Sequence, residues 1–153
     1  MTKEEYSEIV HSIKGDFIGR MSTIEILMCL VMASRINKNE IKFLMFVLNK
    51  LTFRHKKESL EYIINGSDLK KHLPSSLSDF LSDLGKMQDI RNIMAHSTVV
   101  PSKIKEYEKS GVITFMGANS LNKPFKNYST KDHIVNISKL DSLIAVLDKM
   151  SIE

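Results

Sequence analysis

Arg91, Asn92 and His96 stand within six residues of one another, and together they carry the chemistry of phosphate handling. An arginine presents a planar fork that holds a phosphate or stabilises its developing charge. A histidine exchanges a proton near neutral pH. On a helix, His96 lies about 140° round and roughly 7.5 Å along from Arg91. A long arginine arm and an imidazole can converge on one small anion across that separation. Asn92, four residues before His96, shares its face. His96 also closes the helix, where the negative end of the dipole attracts a cation.

The helix that must hold these residues opens after Pro74-Ser75-Ser76 and runs to about Thr98, because Pro101 disfavours helix at Val100. Ser76 is a good N-cap, and Asp79 favours the positive end of the dipole. Advancing about 100° per residue puts Leu77, Phe80, Leu81, Leu84, Met87, Met94 and Ala95 on one apolar arc. Arg91 falls in the middle of that arc, with Gln88 beside it and Asn92 and His96 at its flanks. An unpaired charge on a core stripe is expensive. A carboxylate, a partner subunit or a phosphate is therefore expected to meet Arg91.

The run Arg91-Asn92-Ile93-Met94-Ala95-His96 resembles the R-x4-6-H motif of HEPN domains, including the polar residue after the arginine. Phe17-Ile18-Gly19-Arg20, leading to Ile24-Glu25, is similar to the HEPN helices that precede the motif. The resemblance covers about residues 2–100 and implies a helical bundle that pairs, bringing two motifs into one cleft. It implies a metal-independent endoribonuclease of toxin–antitoxin, antiphage or RNA-processing type, needing no cofactor. Arg91 and His96 would be the catalytic pair, with Asn92 and Glu25 in support. Ribose 2′-hydroxyl attack on the adjacent phosphate would leave a cyclic phosphate end. Thr98 stands two residues after the histidine, where HEPN toxins modified by a partner nucleotidyltransferase carry tyrosine, so that control is not carried over.

The whole chain sets bounds on this reading. Its 153 residues suit one domain with a real core, and 42% apolar with 26% charged residues describes a soluble globular protein. A net charge of +4 permits an anionic partner such as RNA without requiring one. A single cysteine, Cys29, excludes an internal disulfide or a cysteine-rich zinc site and is expected to be buried and inert. His11, His55, His72 and His133 show no metal-ligand spacing. The N-terminus has no apolar signal region, and the longest apolar run, residues 26–33, is too short to span a bilayer. A cytoplasmic setting is expected.

In chain order, residues 2–14 read as a short helix with Tyr6, Ile9, Val10 and Ile13 on one face, and Gly15 and Gly19 mark a break or a close helix contact. Residues 17–36 are apolar nearly all round, as in a central helix. Within it Glu25 has two roles open to it. Ser22 to Glu25 fits a capping box; alternatively the helix continues and Glu25 meets a cation such as Arg91. A further helix starts at Glu40, with Ile41, Leu44, Met45, Leu48 and Leu51 as its core face. Arg54, Lys56 and Lys57 form a basic cluster, read either as a contact to an RNA backbone or as a solvated face.

Beyond Pro101 the pattern predicts two strands, at residues 111–116 and 133–137, with an exposed loop over 117–132. Leu140, Leu143, Ile144, Leu147 and Met150 mark a C-terminal helix. The expected fold is mainly α: a HEPN-like bundle over residues 2–100, a hairpin-like insertion over 101–137 and a helix over 138–152. Two other functional readings stay open: a non-catalytic module that binds RNA or protein through the same cleft, and an interaction protein in which Arg91 pairs with Glu25.

Overall fold

A computed structural model describes residues 1–117 and 126–152. Among them the chain is mainly helical, with six α-helices and a three-stranded antiparallel sheet before the C-terminal helix.

The first helix, α1 (Lys3–Ile36), runs unbroken for 34 residues. Tyr6, Val10, Ile13, Phe17, Met21, Ile24, Met28 and Met32 are all buried, at spacings of three or four, so one apolar stripe follows its whole length. The expected break at Gly15 or Gly19 does not occur. Neither glycine marks a close contact, because a Cβ at either position meets nothing within 4 Å. Each glycine costs the helix about 1 kcal/mol, less than burying the flanking Phe17 and Met21 contributes. The unbroken helix also removes the helix start at Ser22 that one of the two readings of Glu25 requires, so Glu25 closes no capping box. By length and composition α1 is able to cross a membrane, with a mean hydropathy of 1.5 in its most apolar window; half of that window is buried in the fold.

The chain forms two compact units, each drawn from two segments: Met1–Gly19 with Asp89–Lys139, and Arg20–Gln88 with Leu140–Glu153. In the second, the end of α1 is followed by α2 (Ile41–Leu48), α3 (Phe53–Asn65) and the start of α4 (Leu77–His96). Thr52 caps α3 by accepting from the His55 amide. Ser76 caps α4 by accepting from the Asp79 amide at 3.0 Å, as its sequence predicts. Of the expected core face of α2, Leu48 alone is buried, while Phe43, Phe46 and Val47 are exposed. The final turns of α6 (Thr130–Ser151) bring in Leu140, Leu143, Leu147 and Met150.

The other unit holds β1 (Ser97–Val99), α5 (Ile104–Ser110), β2 (Val112–Gly117) and β3 (Lys126–Ser129). β2 is central and antiparallel to both neighbours, with Val99 opposite Phe115 and Thr114 opposite Asn127. β1 takes the residues expected to end α4. α5 replaces part of the expected strand-and-loop insertion and stops at Gly111, whose φ of +66° is the left-handed cap that releases the chain into β2.

The strand expected at residues 133–137 is instead the opening of α6. Ser129 and Asp132 form a reciprocal cap: the Asp132 amide donates to Ser129 Oγ at 2.9 Å, and the Ser129 amide to Asp132 Oδ2 at 3.1 Å. This fixes a helix start just ahead of the β-branched Ile134 and Val135, which end up exposed. The described part of the expected 117–132 loop is therefore the end of β2, β3 and the first turn of α6. Residues 118–125 lie outside the described residues.

Candidate functional site

The buried face of α4 changes part-way along the helix. Phe80, Leu81, Leu84 and Met87 are buried in its first turns; in the last two turns Met94 is buried and Ile90 and Ile93 are half-buried. The change falls at Gln88 and Asp89, where the helix passes from one compact unit into the other.

Arg91 is consequently not in the middle of a core stripe. It is half-buried at the edge of the outward side, beside exposed Asn92, Ala95 and His96. Its Nη1 donates to Asn92 Oδ1 at 3.3 Å. Arg91, Asn92 and His96 therefore lie on the outward half of the last turns, with Arg91 and His96 at its two edges about 140° apart, and the cost of a buried unpaired guanidinium does not arise. Just past the helix end, the Ser97 carbonyl accepts from Lys14 Nζ at 2.6 Å. Lys14 also lies 5.5 Å from the Phe115 ring centroid, and burial pulls its ammonium below the ordinary lysine value.

Of the two roles open to Glu25, the helix continues and the carboxylate meets a cation, but that cation is Lys56. Glu25 Oε2 accepts from Lys56 Nζ at 2.8 Å, and Lys56 is buried. Arg91 is thus not the cation that Glu25 meets, and Lys56 is not part of an outward basic cluster. The reason lies in α3, where Lys56, Leu60 and Ile64 are its three buried residues at successive spacings of four. Lys56 occupies a core position and needs a carboxylate there. Of the remaining cluster, Arg54 is exposed and donates to Glu58 at 2.8 Å. Lys57 is half-buried, its Nζ facing Gly85 so closely that a Cβ there stands 3.3 Å away. Cys29 is buried as expected, and burial pushes its thiol up.

A second polar cluster has no counterpart in the sequence reading. His133 Nε2 lies 3.2 Å from Asp16 Oδ2, and its Nδ1 lies 3.1 Å from Tyr128 Oη. Asn136 Nδ2 donates to the same phenol at 3.3 Å. One direction satisfies all four groups: the amide donates to the phenol, the phenol to Nδ1, and Nε2–H to the carboxylate. Burial raises the Tyr128 phenol above its ordinary value, while Asn136 opposes this. Asp16 and His133 are 117 residues apart, so no local spacing announces their meeting. The cap residues Ser129 and Asp132 are the one available signal, because they put His133 and Asn136 a helical turn apart on α6. No group of three His, Cys, Asp or Glu side chains able to hold a metal ion occurs among the described residues.

Comparison of the chain with family models, with curated proteins and with solved structures found no match.

Proposed function

We propose that the chain is a metal-independent endoribonuclease of the HEPN type, acting as a homodimer on RNA. The observation that carries this is the common outward side of α4 occupied by Arg91, Asn92 and His96, with the guanidinium held toward the Asn92 amide at 3.3 Å. A side chain that must meet a polymer cannot sit in a core, and these three do not.

In the proposed reaction the His96 imidazole takes the proton of a ribose 2′-hydroxyl. The freed oxygen forms a bond to the adjacent phosphorus while the bond to the 5′-oxygen breaks. A protonated imidazole, that of the second copy, returns a proton to the leaving oxygen. Arg91 stabilises the charge that develops on the phosphate oxygens. The products are a cyclic phosphate and a 5′-hydroxyl end. The partners in this reading are RNA, a second copy of the chain and, in a toxin or antiphage setting, a restraining antitoxin in the cytoplasm.

The test is cleavage of single-stranded RNA in the presence of a metal chelator. Arg91→Ala and His96→Ala should each slow it by about 100-fold or more while the fold is retained. Full activity in either variant overturns the assignment. Binding without cleavage, lost more in Arg91→Ala than in His96→Ala, makes the chain an RNA-binding module instead.

A further inference from the structure

On the inward side of the last turns of α4 lies a cavity of about 260 Å³. Ile90, Ile93, Met94 and Phe115 are its apolar lining, and Asn127, Tyr128 and Asn136 bring polar groups to it. We propose that this cavity binds a nucleobase, as part of a free mononucleotide, at a site separate from the Arg91–His96 side. The inference stands on the cavity alone and does not rest on RNA cleavage.

Size is the first reason. The volume falls just below the range of roughly 300–1,000 Å³ that houses drug-sized ligands, which suits one ring system and not an extended molecule. The walls are the second. The aliphatic and thioether side chains and the Phe115 and Tyr128 rings of the lining offer the apolar contact that a flat heterocycle requires.

The amide groups supply the third reason, because their neighbours fix which way they point. Asn136 donates its NH₂ to Tyr128 Oη, whose own proton is directed to His133 and anchored by Asp16. That leaves the Asn136 carbonyl as an acceptor for a ligand. Asn127 Oδ1 accepts from Thr114 Oγ1 at 3.2 Å across the β2–β3 pair, leaving the Asn127 NH₂ to donate. One acceptor and one donor presented beside an apolar slot match the hydrogen-bonding edge of a base. The exposed Lys126 supplies a cation for an attached phosphate, and Asp132 an acceptor for ribose hydroxyls.

The test uses the full chain, titrated with adenosine 5′-monophosphate, with uridine 5′-monophosphate and with ribose 5-phosphate, following the methyl signals of Ile90, Ile93 and Met94 by NMR. At least one nucleotide should shift these signals saturably at millimolar concentration, and ribose 5-phosphate should not. Asn136→Leu should weaken the binding by about tenfold, the loss of one good hydrogen bond. Asn127→Ala, on an exposed strand residue, provides a second variant that leaves the Asp16–His133–Tyr128 chain untouched. No shift with either nucleotide up to about 10 mM, an equal shift with ribose 5-phosphate, or unchanged affinity in both variants overturns the proposal. Loss of RNA cleavage in Arg91→Ala with nucleotide binding intact leaves it standing.

Discussion

Lys56 reaches Glu25 across 2.8 Å with a side chain only 3% exposed, while the carboxylate retains 23%. The pair ties α3 to α1 inside one compact unit, and its two ends are unequal. Removing Glu25 strands a buried ammonium; removing Lys56 leaves a carboxylate that still reaches water. Glu25→Ala should therefore cost about 3 kcal/mol in chemical denaturation, and Lys56→Met distinctly less. Replacing both with Leu and Met should recover most of the loss. Equal losses in the two single variants would show that the ammonium is not the stranded partner.

Arg91→Lys separates charge from shape on the outward side of α4. Lysine keeps the positive charge but lacks the planar fork. RNA affinity in a filter-binding assay should fall by less than about tenfold, and the cleavage rate by about 100-fold. A cleavage rate close to that of the parent removes any need for a bidentate contact.

Three glycines should respond in opposite directions. At Gly15 and Gly19 a Cβ enters open space within a helix, so alanine should add about 0.5–1 kcal/mol at each and raise the Tm by about 2–4 °C. At Gly111, φ is +66° and a Cβ would stand 2.8 Å from Thr130 Oγ1. Alanine there should cost more than about 1 kcal/mol. Thermal unfolding of the three variants, compared at one pH, checks both signs.

Hydrogen bonds from Ser129 hold the Asp132 carboxyl below the usual carboxylate value. The folded chain therefore favours the charged form. The cap is at full strength above the unfolded value of about 4 and is lost as pH falls through the lower folded value. Amide exchange in the first turn of α6 should accelerate over that acid window. Asp132→Asn keeps an acceptor but has no charge to lose, and should flatten the dependence; an unchanged acid profile in that variant assigns the effect elsewhere.

Where periodicity and caps agreed, the sequence was a reliable guide. The Ser76 cap, the apolar face in the first turns of α4, the buried Cys29 and the β2 strand all stand as expected. The errors share a cause, which is that local pattern was read without the long-range packing that selects among its meanings. Ile134, Val135 and Ile137 look like a strand until the Ser129–Asp132 cap commits the chain to helix. Lys56 looks like surface until its alignment with Leu60 and Ile64 is noticed. Arg91 looks buried on a single helical wheel, but α4 supplies residues to two units in succession. The Asp16–His133–Tyr128 chain is not legible at all, since it joins segments separated in sequence by residues 20–88 of the other unit.

The pairing of Met1–Gly19 with Asp89–Lys139 also has a temporal side. At synthesis rates of about 5–20 residues per second, the ribosome needs on the order of several seconds to make the intervening segment. Throughout that interval Tyr6 has been made and Tyr107, whose ring lies 5.3 Å from its own, has not. The apolar beginning of α1 is thus a nascent surface before it is a core, open to chaperone capture or misplaced association until the second half of the message has been read.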